Sequence, residues 1–336
     1  MTIIVNTDYE SVLFHNKPSL KMRRELEFLG LWLNDRIQNV EEYNNAYLQH
    51  IARYTGRVPQ LVKHDAKAIN WWGKLRDIEN EQYLNSKKTS LKISQELGES
   101  VGIIIDAPSQ LNSLSQEKTY LFKSFSGVSG KGHKFLSQLK EIDFPLIAEE
   151  LHMREVDFST YCSSENECYF YQNFISPQFG YKGSFFDLEN SKNLLHLDFV
   201  KKRPDLSWDK YLANIEKIIS IIRERGEHGF SIDSYIYDNK IRSLCEINYR
   251  RTMGITALEI AKVISPLRFQ LFLIIKNNVN YNDLLNFCES IDSVLLSHDK
   301  NLFSYLLISA ASKESLKEKI KSLELILSYS LAINVE

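Results

Sequence analysis

The sequence predicts an α+β fold divided into two or three lobes. Helical and strand periodicities alternate along its 336 residues, a length that buries a core of real size. Residues 230–248 read as strand, polar turn and strand. A lysine-bearing strand, Tyr120 to Lys123, runs straight into a glycine-rich loop.

Thr2 to Val5 reads as a first strand. Pro18 to about Gln38 and Val40 to about Tyr54 carry apolar residues at helical intervals, with Leu26, Leu29, Leu33 and Ile37 as the first stripe. Trp71 and Trp72 form a packing anchor between lobes or face a substrate. Asn85-Ser86-Lys87-Lys88 opens a helix that runs to Leu97 and is capped by Gly98. Strands follow at Gly102 to Ile105 and Tyr120 to Lys123, then a helix over Phe135 to Glu141 and a strand over Leu146 to Glu149. Val156 to Ile175 should hold two antiparallel strands. Trp208 to Arg225 is an amphipathic helix with Tyr211, Ile215, Ile218, Ile219 and Ile222 on one side. Another helix covers Ala257 to Val263. From Ser265 the chain reads as a small α+β cap: helix Tyr281 to Leu296, strand Phe303 to Ile308, helix Lys313 to Ser328.

Composition narrows the function. Basic and acidic residues nearly balance, 41 against 43, so no charge surplus points to nucleic acid. The four cysteines have no CxxC spacing and suggest a reducing compartment. The start, MTIIVNTDYES, does not read as a signal peptide, and the apolar runs are too short to span a bilayer. A cytoplasmic protein without a membrane partner is expected.

The chemistry concentrates in Cys245-Glu246-Ile247-Asn248-Tyr249-Arg250-Arg251. Glu246, Asn248 and Arg250 are two apart and leave one face of a strand. A carboxylate, an amide and a guanidinium there suit two metal ligands and an anion clamp. With Asn239 and Lys240 as the hairpin loop, Asp233 falls opposite Glu246. Carboxylates about 5 Å apart repel unless a cation lies between them. A solvated hairpin whose acids face water is the alternative. Cys245, by alternation, should point away and pack inside.

Lys123 with Gly127, Gly130 and Gly132 is the second constellation. Glycines let a backbone close over an anion. The spacing is neither the Walker pattern nor a dinucleotide fingerprint, and a mobile surface loop is the bland reading.

Lysine helix, lysine strand with glycine loop, acidic strand end and acidic hairpin ending in Glu246-x-Asn248-x-Arg250 occur in an order that resembles the ATP-grasp superfamily, over about residues 84 to 262. The resemblance implies two α+β lobes clasping ATP, an N-terminal α/β lobe and a C-terminal α+β segment. The corresponding boundaries are 1–84 for the N-terminal lobe, 85–145 for the small lobe and 146–336 for the large lobe. Lys87, with Lys88 as rival, matches the first ATP lysine; Lys123 matches the second. Ser126, Gly127, Gly130 and Gly132 match the phosphate loop, and Glu149, Glu150 and Leu151 the adenine hinge. Glu155 matches the ribose acid, with Asp157 competing. Asp233, Glu246 and Asn248 match ligands of Mg²⁺, for which Mn²⁺ can substitute. Arg250 matches the catalytic basic residue, with Arg251 as rival, and Lys123 shares the catalytic role. His133 and His152 read as polar loop residues, with an acid–base role as the alternative.

The resemblance implies an ATP-dependent carboxylate–amine ligase that forms an amide or peptide bond through an acyl phosphate. Its partners would be a small-molecule or peptide carboxylate and an amine. Carboxylation, thiol ligation and a non-catalytic nucleotide-binding scaffold are the alternatives. The hinge lacks a bulky aromatic, and the N-terminal lobe lacks a glycine-rich βαβ start. Phe174, Phe179, Tyr181, Phe185 and Phe186 pack in the core or form a substrate wall. A homodimer is the commonest symmetric assembly expected.

Overall fold

Strand hydrogen bonds sort the chain into three sheets. The computed structural model describes residues 1–99, 102–127, 132–276, 279–331, 333 and 335. The first sheet is parallel, in the order Gln60–Val62, Arg36–Gln38, Ile3–Ile4, Ile69–Asn70. Parallel neighbours need crossover connections, and helices Tyr9–His15, Leu20–Leu26, Phe28–Leu33 and Asn45–Thr55 lie in them.

Here the structure corrects the helix expected from Pro18 to Gln38. It is two helices followed by a strand. The break falls at Glu27, whose buried carboxylate accepts the N–H groups of Val40 and Glu41. Ile37, assigned to a helical stripe, is fully buried in the central strand. A short apolar run has no period of its own that separates the two states. The next helix starts at Asn45, not Val40, because the Asn44 side chain caps it through the Tyr47 N–H.

The second sheet is antiparallel, in the order Ile103–Ile105, Leu146–Glu150, Tyr120–Lys123, His133–Lys134. No helix spans Phe135 to Glu141. Residues 136–138 and 141–143 form isolated 3₁₀ turns. Leu136 and Ile142 are exposed, so no apolar face stabilises a longer helix.

The third sheet has eight antiparallel strands. Their order is Lys240–Asn248, Phe230–Tyr237, Val156–Cys162, Cys168–Ile175, Tyr181–Asp187, Phe269–Lys276, Phe303–Ala310, Ser293–Leu295. The α+β cap expected after Ser265 is present, and its strands continue the sheet that carries the hairpin. The helix expected over Tyr281 to Leu296 ends at Ser290, and Ser293–Leu295 pairs with Phe303–Ala310. Tyr181–Asp187, unread in the sequence, joins the two halves through Cys168–Ile175 and Phe269–Lys276.

Helix Trp208–Arg223 lies beneath the hairpin. Tyr211, Ile215, Ile218 and Ile222 are buried there in one cluster with Phe158, Ile232, Ile236, Leu244 and Ile247. Each such burial stabilises by about 1.5–3 kcal/mol. Helix Lys313–Leu327 covers the other end with Leu316, Ile320, Leu323 and Leu327.

The hairpin's outer strand, Lys240–Asn248, is a sheet edge, and helix Lys87–Glu96 covers it. Ser90 and Ser94, four apart, share a helix face. The Ser90 hydroxyl accepts the Ile247 N–H at 3.1 Å, and the Ser94 hydroxyl donates to the Leu244 carbonyl at 2.9 Å. Asn85 accepts the Tyr249 N–H at 2.9 Å. These bonds fix the helix start, and with it Lys87.

Gly183 is where the joining strand passes closest to its neighbour. A Cβ there would lie 2.1 Å from the Phe272 carbonyl oxygen. Gly183→Ala should lower the unfolding free energy by about 1–3 kcal/mol or more, read by urea denaturation. An unchanged midpoint would show that the strands part freely.

Candidate active site

Asp238 and Asn239 both have positive φ, 43° and 56°, and form the hairpin turn, so Tyr237 pairs with Lys240. The expected loop, Asn239–Lys240, lies one residue too late. A bulge offsets the error: Ser243, Leu244 and Cys245 stand opposite the single residue Ser234. Beyond the bulge Asp233 does pair with Glu246. The bulge also overturns the expectation for Cys245, which lines the same cavity as Glu246. Its Sγ lies 3.9 Å from Arg154 Nη2.

A cavity of about 510 Å³ lies among the three sheets. Asp233, Glu246, Asn248, Arg250, Lys87, Lys123 and Glu149 all line it. Asp233 accepts from Ser159 Oγ at 2.6 Å and from Asn248 Nδ2 at 2.9 Å. Ser159 in turn accepts from Asn173 Nδ2 at 2.6 Å. Burial pushes the Asp233 pKa up to about 6, with Glu246 adding to the rise against these hydrogen bonds. Burial acts on Glu246 in the same sense, but the Lys87 ammonium, at 2.6 Å, outweighs it and holds the carboxyl below its usual value. Two carboxylates on facing strands, with an amide oxygen beside them, fit a divalent cation. No cluster of three or more His, Cys, Asp or Glu side chains suited to a metal occurs among the described residues.

Lys87 also donates to the Gly127 carbonyl at 2.7 Å. Its rival Lys88 lies over the Phe125 ring instead. Gly127 and Gly132 have φ of 132° and 88°, which L side chains rarely adopt. Ser126 is 3.5 Å from His15 Nε2. Gly130 lies outside the described residues.

Lys123 donates to Glu149 at 2.5 Å, and Arg242 grips the same carboxylate through two bonds of 2.8 and 3.0 Å. Burial alone would raise the Glu149 pKa; the two cations reverse it and hold the group far below the carboxylate range. Arg250 binds Glu10 of the N-terminal helix at 2.5 Å. Arg251 turns away to Glu259 and the Trp71 ring.

Three hinge and ribose assignments sit less well. Glu150 points outward to Lys118, and the Leu151 N–H is taken by the Thr119 carbonyl. Glu155 precedes strand Val156–Cys162 and swings out to Arg203, so it does not share the face of Asp157. Asp157 does line the cavity, paired with Arg154 at 2.7 Å. His133 also lines it, and burial with Lys123 and Lys87 nearby lowers its pKa to about 4, leaving the ring neutral. Its Nδ1 is buried and has no hydrogen-bond partner among the described residues. His152 instead stacks on Tyr237, away from the cavity.

The sequence reading missed Arg154, Arg242, Glu10 and the Ser159–Asn173 pair. Arg242 is separated from Glu246 by the bulge, and no periodicity announces it. Asn173 faces Asp157 across neighbouring strands, a pairing that the strand spacing could have suggested.

Neither a protein-family model nor a curated protein sequence matches the chain. Solved structures do. An N5-carboxyaminoimidazole ribonucleotide synthetase from Thermus thermophilus aligns over 100% of both chains, at 11% identity and a TM-score of 0.55. An N5-carboxyaminoimidazole synthase from Aspergillus clavatus, in complex with ADP and 5-aminoimidazole ribonucleotide, aligns over 97% of this chain and 98% of its own, at 11% identity and 0.55. A synthetase from Staphylococcus aureus complexed with ADP aligns over 96% and 95%, at 10% identity and 0.53. The chain has the ATP-grasp fold, an α+β arrangement.

Two outcomes follow from the charges. Folding raises the Asp233 pKa, so without metal, stability falls as pH rises from about 4 to about 6 and levels off above. Metal binding needs the ionised form, whose fraction drops about fourfold between pH 7.5 and 5.5 for a pKa of about 6. Calorimetric titration with Mg²⁺–ADP should weaken by that factor, and Asp233→Asn controls for titration of the nucleotide itself. Equal affinity at both pH values would remove Asp233 from the site. Glu149→Ala strands two buried cations and should cost about 3–5 kcal/mol, seen as a large fall in Tm.

Proposed function

We propose that the chain is a cytoplasmic ATP-dependent carboxylate–amine ligase, releasing ADP and phosphate. The observation that carries this reading is the convergence of Asp233, Glu246 and Asn248 with Lys87, Lys123 and Arg250 on one cavity.

Lys87 and Glu246 now neutralise each other. With nucleotide and Mg²⁺ bound, the Lys87 ammonium would serve phosphate and Glu246 the cation, so neither charge would be left unpaired. Asp233, Glu246 and Asn248 hold the ion, which supplies charge neutralisation at the phosphates. Lys123 adds a fixed positive charge on the opposite sheet. Asp157 meets the ribose in this reading, because it lines the cavity while Glu155 pairs with Arg203. Arg250 steadies the substrate carboxylate while it takes up the γ-phosphoryl group. The amine then displaces phosphate from the acyl phosphate to form the amide. Gly127 and Gly132, with φ values that L side chains rarely adopt, let the backbone at each approach a phosphate.

The names of the structural neighbours suggest a second outcome, carboxylation of an amine. Mg²⁺-dependent ADP release, assayed with a panel of amino acids and with bicarbonate, separates the two. Release that needs bicarbonate alone selects carboxylation, and tight ATP binding without release under any condition selects a scaffold. Glu246→Gln should abolish release while circular dichroism stays unchanged. Normal turnover in that variant would contradict its metal role.

A further inference from the structure

The cavity has two chemically different ends. At the nucleotide end each cation already faces a carboxylate: Lys87 with Glu246, Lys123 with Glu149, Arg154 with Asp157, Arg250 with Glu10. The other end is walled by Met22, Leu26, Trp72, Ile274, Phe303 and Tyr305. One carboxylate stands among them, that of Glu25. Its carboxylate accepts the Leu302 and Phe303 N–H groups at 3.0 and 3.3 Å and the Tyr305 hydroxyl at 3.3 Å. No cation pairs with it among the described residues.

A phosphate-bearing substrate needs amides or cations at this end. α/β lobes commonly supply them at a glycine-rich turn between the first strand and helix. Here that turn is Val5-Asn6-Thr7-Asp8, without glycine, and helix Tyr9–His15 follows it. The Asn6 amide is spent on the Trp72 N–H and the Gly73 carbonyl. Asp8 is fully buried and holds Arg23 at 2.7 Å, while Glu10 holds Arg250. Asp8 and Glu10 thereby neutralise the Arg23 and Arg250 guanidiniums, which would otherwise serve a phosphate.

We propose that the apolar end receives a phosphate-free substrate with an ammonium group and an apolar body, such as an amino acid with an aliphatic or aromatic side chain. The proposal rests on the ligase reading above. Glu25 takes the ammonium in a charge-assisted hydrogen bond, and the apolar wall takes the side chain. A turn without glycine and guanidiniums already neutralised give no ready phosphate seat for a ribonucleotide of the kind bound by the Aspergillus clavatus protein.

Calorimetry on the protein saturated with Mg²⁺–ADP tests this, using L-leucine, L-phenylalanine and ribose 5-phosphate as ligands. The amino acids should bind and the sugar phosphate should not. Glu25→Gln should weaken amino-acid binding at least about tenfold with ADP affinity unchanged. Met22→Lys, on the half-buried wall, should weaken the amino acids and admit ribose 5-phosphate. Tighter binding of ribose 5-phosphate than of either amino acid overturns the proposal. So does unchanged affinity in a folded Glu25→Gln, or ADP binding with no amino-acid binding. A protein that binds no ADP at all overturns the ligase reading first, and this proposal with it.

Discussion

Charge pairing across the cavity is the constraint on which the rest of the molecule depends. A buried ion is tolerated only when another neutralises it. Each of three pairs here joins different parts of the fold. Lys87 on the edge-covering helix meets Glu246 on the hairpin; Arg242 on the large sheet meets Glu149 on the small one; Arg250 after the hairpin meets Glu10 on the N-terminal helix. The same contacts therefore hold the sheets together and keep polar groups aimed inward. They also make the cavity responsive, since any anion or cation entering it competes with a partner already in place.

The bulge in the hairpin does comparable work at shorter range. Three residues opposite one twist the strand, so Cys245 and Glu246 both face the cavity while Leu244 stays in the core. Arg242, on the turn side of the bulge, is left free to reach the small sheet. Without the extra residues Glu246 would not stand opposite Asp233, and the two carboxylates would not share a site.

Much of this was legible in the sequence. Strong periodicity located helices Trp208–Arg223 and Lys313–Leu327 and their buried stripes. The alternation of Glu246 and Asn248 marked one strand face, and Arg250, two residues past the strand's end, lines the same cavity. The Asp233–Glu246 pair was reached through a turn misplaced by one residue and an unseen bulge, two errors that cancel. Glu155 pairs with Arg203, a long-range contact that the local sequence does not announce. A bulge leaves no compositional trace either. The tail's place in the large sheet escaped because membership of a sheet is a long-range property: Phe269–Lys276 looks the same in a cap as beside Tyr181–Asp187.

That shared membership has a consequence during synthesis. When Tyr181–Asp187 leaves the ribosome, one of its borders can pair with Cys168–Ile175 at once. The other stays bare until Phe269–Lys276 has been translated. Such an open border invites pairing with a neighbouring nascent chain. Fast elongation through the intervening segment, or a chaperone that shields the border, would matter more for yield than any gain in final stability.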